Sequence, residues 1–125
     1  MSAAATTASV THNEVIKDAI PTLAGNIAAT VASGSDQFSA DDQQFIKFHG
    51  IYQQDDRDKR KTGKEYSVMV RTRQTGGIVP AAQYLVYDEL SGRFANGTLR
   101  ITSRQTFQFH GVLQKGVGSL IKSIN

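Results

Sequence analysis

Between Arg100 and Gly111 the sequence RITSRQTFQFHG sets Arg100, Thr102, Arg104, Thr106, Gln108 and His110 at every second position, with Phe107 and Phe109 in the last gaps. On a strand, a spacing of two puts side chains on one face, so the pattern describes a ladder of cationic and hydrogen-bonding groups. Upstream, in YSVMVRTR, Met69, Arg71 and Arg73 alternate in the same way against Val68 and Val70. If the two strands join one sheet, these arginines share a face. Like charges repel, so such a face is either fully solvated or holds an anion between its cations. A solvated polar face is common on antiparallel sheets. Lys or Glu would serve that purpose equally, whereas arginine's planar fork suits carboxylates, sulfite-like oxyanions and phosphates. Gln108 and His110 add neutral or switchable donors. The strand pattern alone leaves both readings open.

The elements that must position these residues come from a chain of 125 residues with 39% hydrophobic content, enough for one modest core. A net charge of +3 favours anionic partners without choosing among them. With no cysteine, disulfides, zinc-thiolate sites and an iron-sulfur cluster on the chain's own thiolates are excluded. No apolar run is long enough to cross a bilayer, and MSAAATTASVTHNE lacks the basic and apolar regions of a secretion signal. A cytoplasmic location without a membrane partner is expected.

Residues 1–40, rich in Ala, Thr and Ser, are expected to form a partly disordered or weakly helical arm, with helical runs over Asn13–Ile20, stopped by Pro21, and Leu23–Ala32. Residues 41–125 form the functional unit. FIKFHGIYQQ reads as a strand-like run leading into the charged connection DDRDKRK, and YSVMVRTR as a half-buried strand. TGG breaks that strand. Pro80 opens a helix with Ala82, Val86, Leu90 and Phe94 on one stripe, ended by ANG. TLRITSRQTFQFHGVL is strand again, broken near Arg104 and Gln105, and Val117, Leu120, Ile121 and Ile124 make a final helical stripe. This order suits an α+β fold, a mainly antiparallel sheet with helices packed on one face.

Several bland readings stand beside the anion site. His110 between Phe109 and Gly111 fits a packed strand residue, and residues 58–61 fit a solvated connection with no metal-ligand spacing. An RNA-binding module would also combine arginine and phenylalanine on a central strand. Phe107 and Phe109 have the opposite parity to the arginines, which argues against a nucleic-acid partner. A catalytically silent assembly piece is a further alternative.

FHGIYQQDDRD, VRTRQTGG, VPAAQYL and GTLRITSRQTFQFHGVL occur in this order from about Phe45 to Asn125. Together they resemble the ferredoxin-like half-domain of the siroheme-dependent nitrite and sulfite reductases, most of all assimilatory sulfite reductase. The resemblance implies a ferredoxin-like half-domain and a share in the six-electron reduction of sulfite to sulfide, with nitrite as the alternative substrate. Siroheme carries many peripheral carboxylates, and by similarity Lys47, Arg100, Arg104, Gln108 and His110 stand at cofactor-contacting positions. Arg71 stands where the family binds the substrate anion, holding its oxygens and stabilising charge. In the family a 4Fe-4S cluster coupled to siroheme is bound by four cysteines in a C-terminal part. This chain has none, so that part is implied as a partner, together with a ferredoxin or flavoprotein electron donor. The resemblance further implies that the 125 residues alone are inactive.

Overall fold

The structure, a computed structural model, describes residues 9–57, 59–63 and 65–125. In chain order the elements are α1 (His12–Ala19), α2 (Ile27–Ser33), α3 (Ala40–Phe48), β1 (Ile51–Asp55) and β2 (Tyr66–Arg71). After a short 3-10 turn at Thr75–Gly77 come α4 (Ala81–Phe94), β3 (Leu99–Ile101), β4 (Phe107–Val112) and α5 (Gln114–Ile124). The expected arm over residues 1–40 begins outside the described residues, and so does Asp58 of the charged connection. From residue 9 the arm contains α1, where Ile16 is buried, and α2, whose Ile27 and Val31 pack against the core. The second helical run starts later than the composition suggests, because Leu23 and Gly25 both adopt positive φ, 57° and 49°.

The run FIKFHGIYQQ is not one strand. Ser39 caps a helix there by accepting from Asp42 N at 3.2 Å, and Asp41 and Asp42 in the first turn favour its positive end. Phe45 and Ile46 turn inward on that helix, and Gly50, at φ 76°, ends the excursion before β1.

The sheet has the order β1-β2-β4-β3, and every pair is antiparallel. The strands around Arg71 and Arg100 therefore share one sheet as expected, with β4 between them. The second strand run is a hairpin rather than a single broken strand. Thr102 N donates to Thr106 O at 2.9 Å, Gln105 N donates to Thr102 O at 2.9 Å, and Gln105 takes φ 58°, which a continuous strand cannot accommodate. Because Arg100 then pairs with Gln108, the alternation survives the fold-back and the ladder stays on one face.

Helices α3, α4 and α5 pack against β1, β3 and β2 respectively. Val68, Val70, Phe107 and Phe109 point into the core under them, joined by Val117 and Leu120 of the final stripe. The α4 stripe differs from the expected one. Leu90 is buried and Phe94 packs on the core, but Val86 is 45% exposed and Tyr87 takes the inward place. Tyr87 wins because its ring meets Phe107 and Phe109 edge-on, at 5.7 and 5.9 Å, and its hydroxyl accepts from Gln74 Nε2 and Gln83 Nε2, both at 3.1 Å.

Candidate functional site

Register builds a polar row across the sheet. Gln108 pairs with Arg71 on one side and Arg100 on the other, so the three lie on the face opposite the core. Two residues on, the β2–β4 register slips by one between Val68↔Val112 and Val70↔Phe109, leaving His110 and Gly111 together opposite Met69. This is a glycine bulge: Gly111 has φ 71°, and a Cβ there would stand 3.0 Å from that of Asn96, whose N donates to His110 O at 2.9 Å. The bulge places the imidazole beside Gln108.

Arg71 is fixed from two sides. Its guanidinium carbon lies 5.4 Å from the centre of the Tyr52 ring, a cation-π contact. The Gln108 amide, oriented by its neighbours, accepts from Arg71 Nε and Nη2, each at 3.2 Å, and donates to His110 Nε2 at 3.1 Å. Burial first, and the Arg100 charge second, hold the His110 pKa below its ordinary value. The ring is therefore neutral near pH 7 and free to accept.

Beyond Arg71 the sheet face runs into a groove of about 450 Å³ whose lining includes Lys47, Tyr52, Arg71, Arg73 and Arg104. Lys47 comes from the last turn of α3 and Arg104 from the β3–β4 turn. That turn sits at a fixed height because Gly77, at φ 73°, leaves room for Gln105. A Cβ at residue 77 would fall 2.8 Å from Gln105 Oε1 and 2.9 Å from its Cβ. Ion pairs elsewhere join His12 to Asp41, Lys17 to Glu14, Lys59 to Glu65 and Arg60 to Asp55. Among the described residues, none of Lys47, Arg71, Arg73, Arg100 and Arg104 has a carboxylate partner. A face that gathers five cations without counter-charge has the electrostatics of an anion site. A larger groove of about 530 Å³, between α2, α5 and the β1–β2 edge, is lined mainly by apolar side chains such as Ile27, Ile46, Ile51, Val70, Ile121 and Ile124, and shares Arg71, Arg73 and His49 with the basic groove. Its apolar walls offer a charged ligand little.

The profile of the nitrite/sulfite reductase ferredoxin-like half domain matches residues 58–125. The chain belongs to that family. It is 43% identical over 98% of its length to a sulfite reductase (NADPH) hemoprotein beta-component of Methylobacterium nodulans, covering 21% of that protein. A protein of the same description from Staphylococcus haemolyticus is 43% identical over 90% of the chain, and one from Xanthomonas campestris pv. campestris is 40% identical over 93%. The chain thus spans about a fifth of the length of these curated relatives. Within the half-domain, β2, α4, β3, β4 and α5 carry the profile match, together with Arg71, Arg100, Arg104, Gln108 and His110. Lys47 and Tyr52 precede it. Among the described residues no helix is long and apolar enough to cross a membrane.

Of the six site residues expected from sequence, the fold brings Lys47, Arg71 and Arg104 into the groove and sets Gln108, Arg100 and His110 along the sheet beside it. Tyr52 and Arg73 complete the surface; Arg73 was expected on the shared arginine face but was given no site role, and Tyr52 was given none either. Arg73, two residues after Arg71, carried a usable signal in its spacing. Tyr52 had none, since only the β1–β2 register, Tyr52↔Met69, brings it onto the Arg71 side.

Proposed function

We propose that the chain contributes the basic, siroheme- and anion-binding portion of an assimilatory sulfite reductase and is inactive alone. The single observation that carries this reading is the cation set, five Lys and Arg side chains without a carboxylate partner among the described residues, around one face and groove of a chain of the nitrite/sulfite reductase half-domain family. The residues suit a polycarboxylate: Arg100, Arg104 and Lys47 are exposed donors, and Gln108 and His110 supply neutral hydrogen bonds between them. When bound, siroheme supplies the redox chemistry. The chain's own part is binding and electrostatics. Arg71, half-buried and stacked on Tyr52, is the residue assigned to the substrate oxyanion, where a fixed guanidinium holds sulfite's oxygens and stabilises charge as it builds. The cysteines for a coupled cluster and the electron donor must come from outside these 125 residues. Phe107 and Phe109 are buried at 8% and 0% exposure, so they offer no platform for stacking bases, which weighs against RNA.

The test is complementation. Siroheme and a separately expressed cysteine-bearing remainder of a relative are added to the purified chain, and sulfite-dependent oxidation of reduced methyl viologen is followed. Turnover is expected only with the remainder present, and Arg71→Ala should abolish it. Turnover by the chain alone would overturn the reading, as would full turnover by the variant.

A further inference from the structure

The Gln108 amide has two ways to sit between Arg71 and His110. With its oxygen toward Arg71 it accepts from Nε and Nη2 at 3.2 Å each, while its nitrogen donates to His110 Nε2 at 3.1 Å. Turned by 180°, its oxygen stands 3.1 Å from His110 Nε2 and its NH2 faces the guanidinium, donor against donor. The first arrangement satisfies both ends of the amide when the imidazole is neutral with its proton on Nδ1. A ring protonated on both nitrogens has only donors, so it requires the second. The other charge facing His110 is Arg100 on β3, a cation that is not itself a competing acceptor, and Arg71 on β2 reaches it through the amide.

We propose that Gln108 is a positioning residue for Arg71 and that the proton on His110 sets its orientation. A neutral His110 holds the Arg71 Nε–Nη2 edge against the sheet. A protonated His110 turns the amide over, leaves that edge without an acceptor, and frees the guanidinium fork to take an oxyanion in two hydrogen bonds. Burial and the Arg100 charge, which keep the ring neutral near pH 7, mean that the turn-over occurs on the acid side of the ordinary histidine range. No covalent step is involved; one proton moves from solvent to the ring. That the freed fork serves a sulfite-class oxyanion rests on the proposed function. The relay does not, and it is testable with no anion present.

The experiment follows the Arg71 Nε–H signal and the His110 ring signals of the purified 125-residue chain by nuclear magnetic resonance as pH is lowered, with the Arg71 signal assigned by its loss in Arg71→Lys. In the wild type the Arg71 signal should shift through an inflection at the same pH as His110. In Gln108→Leu, His110 should still titrate while the Arg71 shift loses that inflection. In Gln108→Glu a carboxylate oxygen faces Arg71 in every state, so the inflection should again be lost. An Arg71 signal indifferent to pH in the wild type would overturn the relay. So would one that follows His110 equally well in Gln108→Leu, since a direct charge effect across space would then be sufficient. Unchanged backbone amide spectra at neutral pH establish that both variants keep the fold.

Discussion

Replacing Gly77 by Ala should disturb the site without touching a cation in it. Gly77 has φ 73°, and an L residue in that region costs roughly 1–2 kcal/mol. Its new Cβ would also fall 2.8 Å from Gln105 Oε1 and 2.9 Å from Gln105 Cβ. The amide oxygen could swing away, but the Cβ is fixed to a backbone that itself sits at φ 58°, so the β3–β4 turn must move, at about 1–3 kcal/mol for overpacking. The total is a loss of about 2–5 kcal/mol, with Arg104 shifted relative to Arg73 and Lys47. Gln105→Gly removes the obstructing atoms and relieves its own left-handed strain. A double-mutant cycle read by urea denaturation should therefore show Gly77→Ala costing about 1–3 kcal/mol less in the Gln105→Gly background. Strict additivity would refute the claim that the two residues set the turn against each other.

A buried network gives a second expectation. Gln74 Oε1 accepts from Phe107 N at 3.1 Å, and its Nε2 donates to Thr72 Oγ1 at 2.8 Å and to Tyr87 OH at 3.1 Å. Gln74→Ala should cost about 2–3 kcal/mol by leaving the buried Phe107 N–H unpaired, and Gln83→Ala, at the less buried end, well under half of that; equal losses in chemical denaturation would count against this ranking. The lowered pKa of His110 fixes the sign of a pH effect. The folded state resists the proton more than the unfolded chain does, so this contribution to stability is complete above about pH 6.5, falls as pH drops from there to the lowered folded value, and then levels. Comparing wild type with His110→Asn at about pH 7.5 and at successively lower pH should show the wild type losing more stability, and identical profiles would reject the assignment.

The helices and strands legible in the sequence were those whose own pattern decides them. The stripe Val117, Leu120, Ile121 and Ile124 packs as read, and the alternation around Arg71 and Arg100 places both on one sheet face. Misreadings arose where tertiary contacts override a local pattern. The run after residue 44 looked like strand because Phe45, Ile46, Phe48, Ile51 and Tyr52 are all apolar or aromatic, while the helix signal lay in the Ser39 cap and the acidic turn ahead of it. In the α4 stripe Tyr87 replaces Val86 because it finds two rings and two amide donors that no spacing rule could supply. Within the site, Arg71 and Arg104 were visible as types, but their meeting in one groove depends on a hairpin turn held by Gly77, 28 residues before Gln105 in the chain. The TGG motif reads locally as a strand breaker. Its closeness to the turn becomes visible only once the chain is folded.

The most direct measurement is an absorption titration of the purified chain with siroheme at low and high salt, for wild type and for the Arg100→Ala/Arg104→Ala double variant. Exposed ion pairs contribute only about 0 to 1 kcal/mol each, so weak binding is expected, falling steeply as salt screens the cations. The double variant should bind more weakly still and with less dependence on salt. Binding unaffected by salt and by loss of both arginines, or none detectable at low salt, would contradict the assignment of the basic face to the cofactor.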